Sequence, residues 1–309
     1  WLQEDVAEVS GHVNEATQAL NTALFTDGAV LDIADGREIV TPIALIFASG
    51  SDAAGSVATR NVIRVGKNAK VVIVEAHLAP DAPRQVNTLT QLIVGDGAEV
   101  VHVKLVTSRE GSIHLGRTIA RLGAEATYRP FQMVLGDGVV RNDLAITFRG
   151  THATFDLGSA LLGNAGSHHD ITMVVDHAVP HCTSRELVKT VLRDRARAVF
   201  QGKVIVRPDA QKTDGKQMAQ ALMLSPDTEF NSKPELEIYA DDVVCGHGST
   251  SAEIDPELVF YLQSRGIPLA DAQAMLVESF VGEAIDKAEP EAVQDALRAL
   301  AREWLQGQA

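Results

Sequence analysis

A cysteine and a histidine two residues apart form the sharpest chemical feature of the sequence. They stand in the run Asp241-Asp242-Val243-Val244-Cys245-Gly246-His247-Gly248. If this run is a β-strand, the thiol of Cys245 and the imidazole of His247 project to the same side. Both groups are ligands for zinc and for iron–sulfur units. Two ligands do not complete a metal site, so other segments or a partner chain would have to supply the rest. The competing interpretation is a buried cysteine beside a hydrogen-bonded histidine, and spacing alone favours it.

A second group of candidate ligands lies earlier in the chain, in His168-His169-Asp170, His177 and His181-Cys182. His169 and His177 are separated by an even number of residues, so on one strand they would share a face. Histidine-rich sets of this kind bind metals. Turn formation, capping and interior hydrogen bonds explain the same residues equally well, so both interpretations stay open.

Composition and charge exclude several classes of protein. The chain has 309 residues, of which 45% are hydrophobic and only 5% aromatic, a mixture that suits many short strands. Its net charge of −14 leaves no basic surplus for a nucleic-acid backbone. A Gly-rich phosphate loop ending in Gly-Lys-Ser/Thr is absent from the sequence, as is a Gly-x-Ser-x-Gly nucleophile elbow.

The cysteine count and the hydropathy pattern predict a cytoplasmic protein. Two cysteines are too few for the disulfide framework of a secreted protein. We find no signal peptide and no apolar run long enough to span a membrane. The sequence begins at Trp1 without an initiating Met, which weakens the argument from the missing signal peptide.

The elements that must position these residues fall into a helical, a β-rich and a second helical part. The spacing of apolar residues predicts a short amphipathic helix within Trp1–Leu24. Short β-branched runs, most of them close to Gly, Asp or Asn, then predict strands. These runs are Ile43–Phe47, Val71–Val74, Leu92–Val94, Val100–Val103, Ile171–Val175 and Val204–Val206.

A loosely repeated unit in the β-rich part predicts stacked coils. In each copy of the unit, an apolar residue comes before a glycine, and two small or polar residues and then Ala or Val come after it. The glycines of the four copies are Gly66, Gly95, Gly123 and Gly136. The first two intervals between these glycines are about twice as long as the third. This is expected if such a turn falls once or twice in each coil of a solenoid. An all-β sandwich or barrel remains the alternative, although such folds rarely need this length.

Three helices are predicted after the β-rich part. The first runs from Pro256 to Gly266, with Asp255 as its N-cap. The second covers Leu269 to Lys287, and the last begins at Pro290.

Several motifs in one order resemble the shared core of the SufB/SufD family. They are His177-Ala178-Val179-Pro180-His181-Cys182-Thr183-Ser184, Val199–Val204, Ala210–Asp214, Ser232–Ile238, Ala240–Val243 and Phe260–Ile267. The run Cys245-Gly246-His247-Gly248-Ser249-Thr250 resembles the D-type members, whereas B-type members carry a Glu-His-Glu type sequence near this position. Ser249 replaces the usual Ala and Ala252 a common Gly, which leaves Cys245 and His247 intact.

This resemblance implies a mainly β fold, a right-handed parallel β-helix with a C-terminal helical domain and a short N-terminal helix. The implied parts are residues 1–26 for the N-terminal helical segment, 27–250 for the β-helix and 251–309 for the helical domain. The resemblance also implies a non-catalytic scaffold subunit that pairs with a SufB-type subunit and binds the ATPase SufC through its C-terminal helices. It further implies that a nascent iron–sulfur cluster forms transiently between the two subunits, with His247 as a ligand and Cys245 as a second candidate. The isolated chain is expected to hold no cofactor and to form homodimers.

Two other functions compete with the scaffold. A metal-dependent β-helix hydrolase would use His169, His177 and His247 around a zinc or similar ion with an open coordination position. A purely structural solenoid would have no site at all. In that case neither Cys245 nor His247 would affect function.

Overall fold

A computed structural model describes residues 15–48, 54–79 and 82–307. Helix α1 spans Glu15–Leu24, the described part of the predicted N-terminal helix, whereas Val6, Val9 and Val13 lie outside the described residues. Asn21 anchors α1 on the solenoid because its side-chain amide donates hydrogen bonds to the backbone oxygens of Thr59, at 3.0 Å, and Asn87, at 3.1 Å.

Sixteen strands follow α1, and all six β-branched runs predicted as strands lie within them. In chain order they are β1 Val30–Ile33, β2 Glu38–Phe47, β3 Gly55–Val65, β4 Lys70–His77, β5 Arg84–Val94, β6 Glu99–Ser108, β7 Ile113–Leu122, β8 Thr127–Gly136, β9 Val139–Phe148, β10 Thr154–Gly163, β11 His168–His177, β12 Thr183–Leu192, β13 Arg197–Val206, β14 Asp214–Met223, β15 Glu229–Ile238 and β16 Val244–Ala252.

The strands form two parallel sheets, and this pairing makes the chain a parallel β-solenoid of about seven turns. The odd-numbered strands pair in the order β1 to β15, and the even-numbered strands pair in the order β2 to β16. Each strand therefore pairs with the strand two positions along the chain, and two strands make one coil. The solenoid prediction is confirmed, and a sandwich of antiparallel strands is excluded because every pairing is parallel.

Side-chain alternation along each strand builds the core between the two sheets. In β14, Gly215, Gln217, Ala219 and Ala221 are buried, whereas the residues between them are exposed or half-buried. The same alternation on the other strands stacks Val, Ile, Leu and Phe from successive coils into one apolar cluster. Small and branched side chains suit this core because identical positions lie directly above one another, about 4.8 Å apart.

The repeated glycine unit marks a turn that recurs once in each coil. Gly66, Gly95 and Gly123 occupy successive levels of one column of turns, and a Cβ on Gly95 would lie 2.9 Å from the backbone of Gly66. Only glycine allows the turns to stack this closely. Gly136 ends β8 on the other side of the coil, which explains the shorter third interval.

Three helices follow β16 in the described residues: α2 Pro256–Gln263, α3 Leu269–Ile285 and α4 Glu291–Leu305. Asp255 caps α2 as predicted, since its carboxylate accepts a hydrogen bond from the Glu257 backbone N–H at 2.8 Å. Helices α3 and α4 bury an apolar face, including Val281 and Trp304, against the outer side of the even-numbered sheet. Buried Lys189 of β12 fixes this packing through its Nζ, which lies 2.5 Å from a carboxylate oxygen of Glu283 on α3.

Candidate half-site at the open end of the solenoid

Cys245 and His247 lie on β16, the last strand of the even-numbered sheet. Among the described residues, strand β16 pairs only with β14, where Gly215 is opposite Cys245 and Gln217 is opposite His247. Because Gly215 and Gln217 face the interior, register places Cys245 and His247 on the inward face as well. The predicted geometry is confirmed, since both side chains leave the strand on the same side.

The position of β16 at the end of the solenoid leaves its inward face incomplete. Cys245 is half-buried and packs against the core, whereas His247, Ser249 and Ser251 are exposed on the same inward face. The equivalent positions on β14 are buried because β16 covers them. A metal or cluster bound by Cys245 and His247 would therefore remain open to a partner surface.

The Cys245 thiol is held in its protonated form. Burial raises its pKa, and the negative charge of Asp214 adds to this effect, whereas a hydrogen bond from the Gly215 backbone and the charge of Arg185 oppose it. The nucleophile and ligand form of cysteine is the thiolate. Metal binding at Cys245 must therefore displace a proton. His247 is exposed, which makes it the more accessible candidate ligand of the two.

A column of buried polar side chains leads from His247 into the interior. Gln217 of β14 pairs with His247, and Glu186 of β12 pairs with Gln217, so the three occupy one position on successive coils. Glu186 is 3% exposed and Gln217 is 2% exposed. Among the described residues, neither carboxylate oxygen of Glu186 and neither amide atom of Gln217 has a well-directed hydrogen-bond partner. Such atoms inside a protein are uncommon and call for a functional explanation.

Glu186 is a carboxylic acid rather than a carboxylate at neutral pH. Burial raises its pKa to about 8, and Asp156 acts in the same direction. The Ser184 hydroxyl, Arg185 and Lys287 lower the pKa but do not compensate for burial. The Ser184 hydroxyl is shared with His177, whose Nε2 lies 3.1 Å away.

This carboxyl group should make the stability of the protein depend on pH. The unfolded carboxyl ionises near pH 4.5, whereas the folded one keeps its proton until about pH 8. As pH rises between these values, Glu186 should cost the folded state up to about 1.4 kcal/mol per pH unit. We expect Glu186→Gln to be increasingly more stable than the wild type from pH 5 to pH 8. Urea unfolding at both pH values measures the difference, and exposed Glu110→Gln is the control. Parallel pH profiles for wild type and Glu186→Gln would contradict the assignment.

The histidines earlier in the chain do not converge on one another. His169 and His177 share the inward face of β11, as predicted, but they stand near opposite ends of that strand. Burial lowers the pKa of each to about 4, so both are neutral. Half-buried His168 begins the same strand, while His181 is exposed in a turn and stacks on His152 with ring centroids 4.7 Å apart.

No metal-binding cluster accompanies these histidines. Within the part of the chain that the structure describes, no three His, Cys, Asp or Glu side chains are grouped to hold a metal ion. His247 lies on the opposite sheet from His169 and His177. The geometry thus gives no support to a hydrolase that uses these three residues together.

Cys182 is a structural residue of the core. Its side chain is fully buried, and its Sγ lies 3.4 Å from the backbone oxygen of Gly150. Burial raises its pKa, as expected for an unreactive thiol. Asp241 and Asp242, by contrast, are exposed in the turn before β16, where Asp242 pairs with Lys212.

Exposed apolar side chains lie on the last strands of the solenoid and beside them. Tyr239 is 60% exposed and Val244 is 62% exposed, and Ile238 and Met218 are also exposed. Apolar side chains gathered at an uncovered sheet end are typical of a protein–protein interface. The half-site therefore lies within a surface suited to a second protein.

The fold is a parallel β-solenoid, and its last strand carries a Cys–His pair on the inward face. Residues 47–280 match the family described as SUF system FeS cluster assembly, SufBD core domain. The chain belongs to this family.

Several curated proteins resemble the chain over most of its length. An iron–sulfur cluster assembly SufBD family protein of Synechocystis is 34% identical over 297 residues, which cover 92% of this chain and 65% of the relative. The iron–sulfur cluster assembly protein SufD of Escherichia coli is 31% identical over 278 residues, 89% of this chain and 66% of the relative. SufD of Bacillus subtilis is 24% identical over 301 residues, 96% of this chain and 68% of the relative. The chain thus spans about two thirds of the length of these relatives.

None of the helices in the described residues combines the length and the apolar character that crossing a bilayer requires.

Sequence reasoning found Cys245 and His247 but missed Glu186 and Gln217. The signal for the missed pair is their spacing, because Glu186, Gln217 and His247 follow one another at intervals of one coil. The sequence alone does not show that these polar residues occupy the same inward position on successive coils, because that depends on the pairing register of the strands.

Proposed function

We propose that this chain is a non-catalytic scaffold subunit of a SufBCD-type complex that assembles iron–sulfur clusters. A nascent cluster is its transient cargo, held between this chain and a SufB-type subunit. The observation that carries the proposal is that Cys245 and His247 share the inward face of β16, beyond which the described residues add no further coil.

The partner subunit would complete both the interior and the ligand set. Edge strands expose unpaired backbone groups that a second chain can pair with, and the exposed Tyr239 and Val244 add apolar surface to the contact. In the absence of the SufB-type subunit, the same surface could be covered by a second copy of this chain as a homodimer.

The C-terminal helices offer a separate surface for the ATPase SufC. Helix α2 buries none of its residues, and Phe260 and Tyr261 are 73% and 52% exposed. Helices α3 and α4 are packed firmly on the even-numbered sheet. A movement imposed on them by nucleotide binding could therefore reach β16 through that sheet.

Co-purification tests this arrangement. We expect the chain to form a complex with a SufB-type subunit and SufC, and the complex to bind iron and sulfide when these are supplied anaerobically. A complex that forms but never retains iron and sulfide would contradict the scaffold function.

Substitutions on α2 should separate SufC binding from folding. Removal of the helices from Glu257 onward would expose the apolar face beneath α3 and α4, so point variants are the cleaner test. We expect Phe260→Ala with Tyr261→Ala to weaken SufC binding at least about tenfold, because exposed aromatic residues dominate many interfaces. Isothermal titration calorimetry measures the change, and exposed Glu303→Ala on α4 is the control. Unchanged affinity in the double variant would show that SufC docks elsewhere.

A further inference from the structure

The methionines of this chain differ sharply in their exposure. Of the five in the sequence, Met133 and Met173 are buried in the core and Met223 is half-buried. Met218 on β14 is 39% exposed, and Met275 on α3 is 49% exposed. A thioether is oxidised where an oxidant can reach its sulfur, so exposure selects Met218 and Met275 as the methionines open to oxidation.

Met218 lies on the outward face of β14, where its side chain covers the last strand. It pairs in register with Gly248 of β16. A Cβ added to Gly248 would lie 2.7 Å from Met218 Cε and 3.1 Å from its Sδ, so the thioether fills the space that a side chain at Gly248 would occupy. Gly246 is the neighbouring outward glycine of β16. Among the described residues, Met218 alone lies within 4 Å of a Cβ placed at either glycine.

The long, unbranched side chain of methionine suits this position. It is flexible and apolar, so it can follow the bare backbone of β16 and pack on it. Val244, which is 62% exposed, continues the apolar surface on the same outward face of β16. His247 lies between the two glycines and belongs to the opposite, inward face. Met218 therefore supports the strand directly behind the half-site.

We propose that Met218 is a site of oxidation by hydrogen peroxide, and that its oxidation uncovers β16. The sulfur attacks one oxygen of the peroxide, an S–O bond forms, the O–O bond breaks, and the second oxygen leaves as water after proton transfer. The sulfur loses two electrons, and the peroxide is reduced. The product is a sulfoxide, whose polar oxygen is costly to hold against the apolar surface of Val244 and Gly248 and is better placed in water.

The oxidation of Met218 and its effect on β16 belong to the isolated chain and do not depend on any partner. The consequence for the partner contact rests on the proposed function. Met218 and Val244 are part of the exposed apolar surface at the end of the solenoid. A sulfoxide placed there should weaken the contact with a SufB-type subunit, because a polar oxygen buried without a hydrogen bond destabilises an interface.

Treatment of the purified chain with hydrogen peroxide tests the site. After dithiothreitol has reversed any oxidation of thiols to sulfenic acid or disulfide, peptide mass spectrometry should find sulfoxide at Met218 and Met275 and little at Met133 and Met173. Amide hydrogen exchange should show a loss of protection in residues 244–252 of the treated wild type. Met275→Leu should lose the same protection on treatment, whereas exchange in Met218→Leu should not respond to peroxide.

Binding of a SufB-type subunit before and after treatment tests the consequence. The affinity of the wild type should fall at least about tenfold, whereas treatment should not change the affinity of Met218→Leu. Two results would overturn the oxidation site: sulfoxide at Met275 but not at Met218, or unchanged protection of β16 once Met218 is oxidised. Unchanged affinity after complete oxidation would overturn the effect on the partner contact. If the untreated chain binds no SufB-type subunit, the proposed function fails while the oxidation site stands.

Discussion

Replacement of His247 by alanine is expected to reduce the iron and sulfide retained by the reconstituted complex by about tenfold or more. Even residues that only support a metal ligand typically change metal affinity by about 10–100-fold, so loss of a ligand itself should do at least as much. His247 is exposed, so the substitution leaves no cavity and the chain should fold normally. Iron and sulfide analysis of the anaerobically purified complex measures the effect.

The controls for this prediction separate the half-site from histidine content in general. His181 is exposed in a turn of the same solenoid, and His181→Ala should leave the cluster yield unchanged. Cys245→Ser should have an effect no larger than that of His247→Ala, because the buried thiol must first lose its proton. Normal cluster assembly by the His247→Ala complex would refute the assignment of this residue.

Replacement of Lys104 by methionine is expected to destabilise the fold by about 3–5 kcal/mol. The change leaves the carboxylate of Glu75 buried without its ammonium partner, which is the situation in which loss of a buried ion pair is most costly. Methionine preserves most of the side-chain volume, so the effect reports the charge rather than a cavity. Urea unfolding measures the free energy of unfolding.

Two further variants test the electrostatic origin of that loss. Lys67→Met removes an exposed lysine that pairs with Asp96, and it should cost far less stability than Lys104→Met. The double variant Lys104→Met with Glu75→Gln should recover much of the lost stability, because no unpaired charge then remains. Additive losses in the double variant would show that packing, not charge, is responsible.

The same pair predicts how the protein responds to acid. Burial alone would raise the pKa of Glu75, but Lys104 and the hydrogen bonds from His102 and His77 lower it well below its ordinary value of 4.5. The stability that Glu75 contributes is therefore present above pH 4.5 and is lost as pH falls through the lower folded pKa. Lowering the pH thus removes the stability that Glu75 contributes, whereas raising the pH makes Glu186 destabilise the folded state. Both are buried carboxyl groups on the same sheet.

The local elements could be predicted from the sequence because each depends on residues close together in the chain. Asp255 and Pro256 predicted the start of α2, and the β-branched run Ile171–Val175 predicted the centre of β11. The repeated glycines at Gly66 and Gly95 predicted stacked turns, since close stacking excludes a side chain. The alternation of side chains along a strand also placed Cys245 and His247 on one face.

The contacts between coils were decided by the tertiary structure. The column of Glu186, Gln217 and His247 depends on the strand register, and the register depends on turns whose lengths differ from coil to coil. The sequence indicated that His169 and His177 share a face, but only the fold shows that they lie near opposite ends of a strand. The half-site itself was determined by the types and spacing of Cys245 and His247. Its openness was determined by the end of the solenoid, because in the described part of the chain no further coil covers β16 as β16 covers β14.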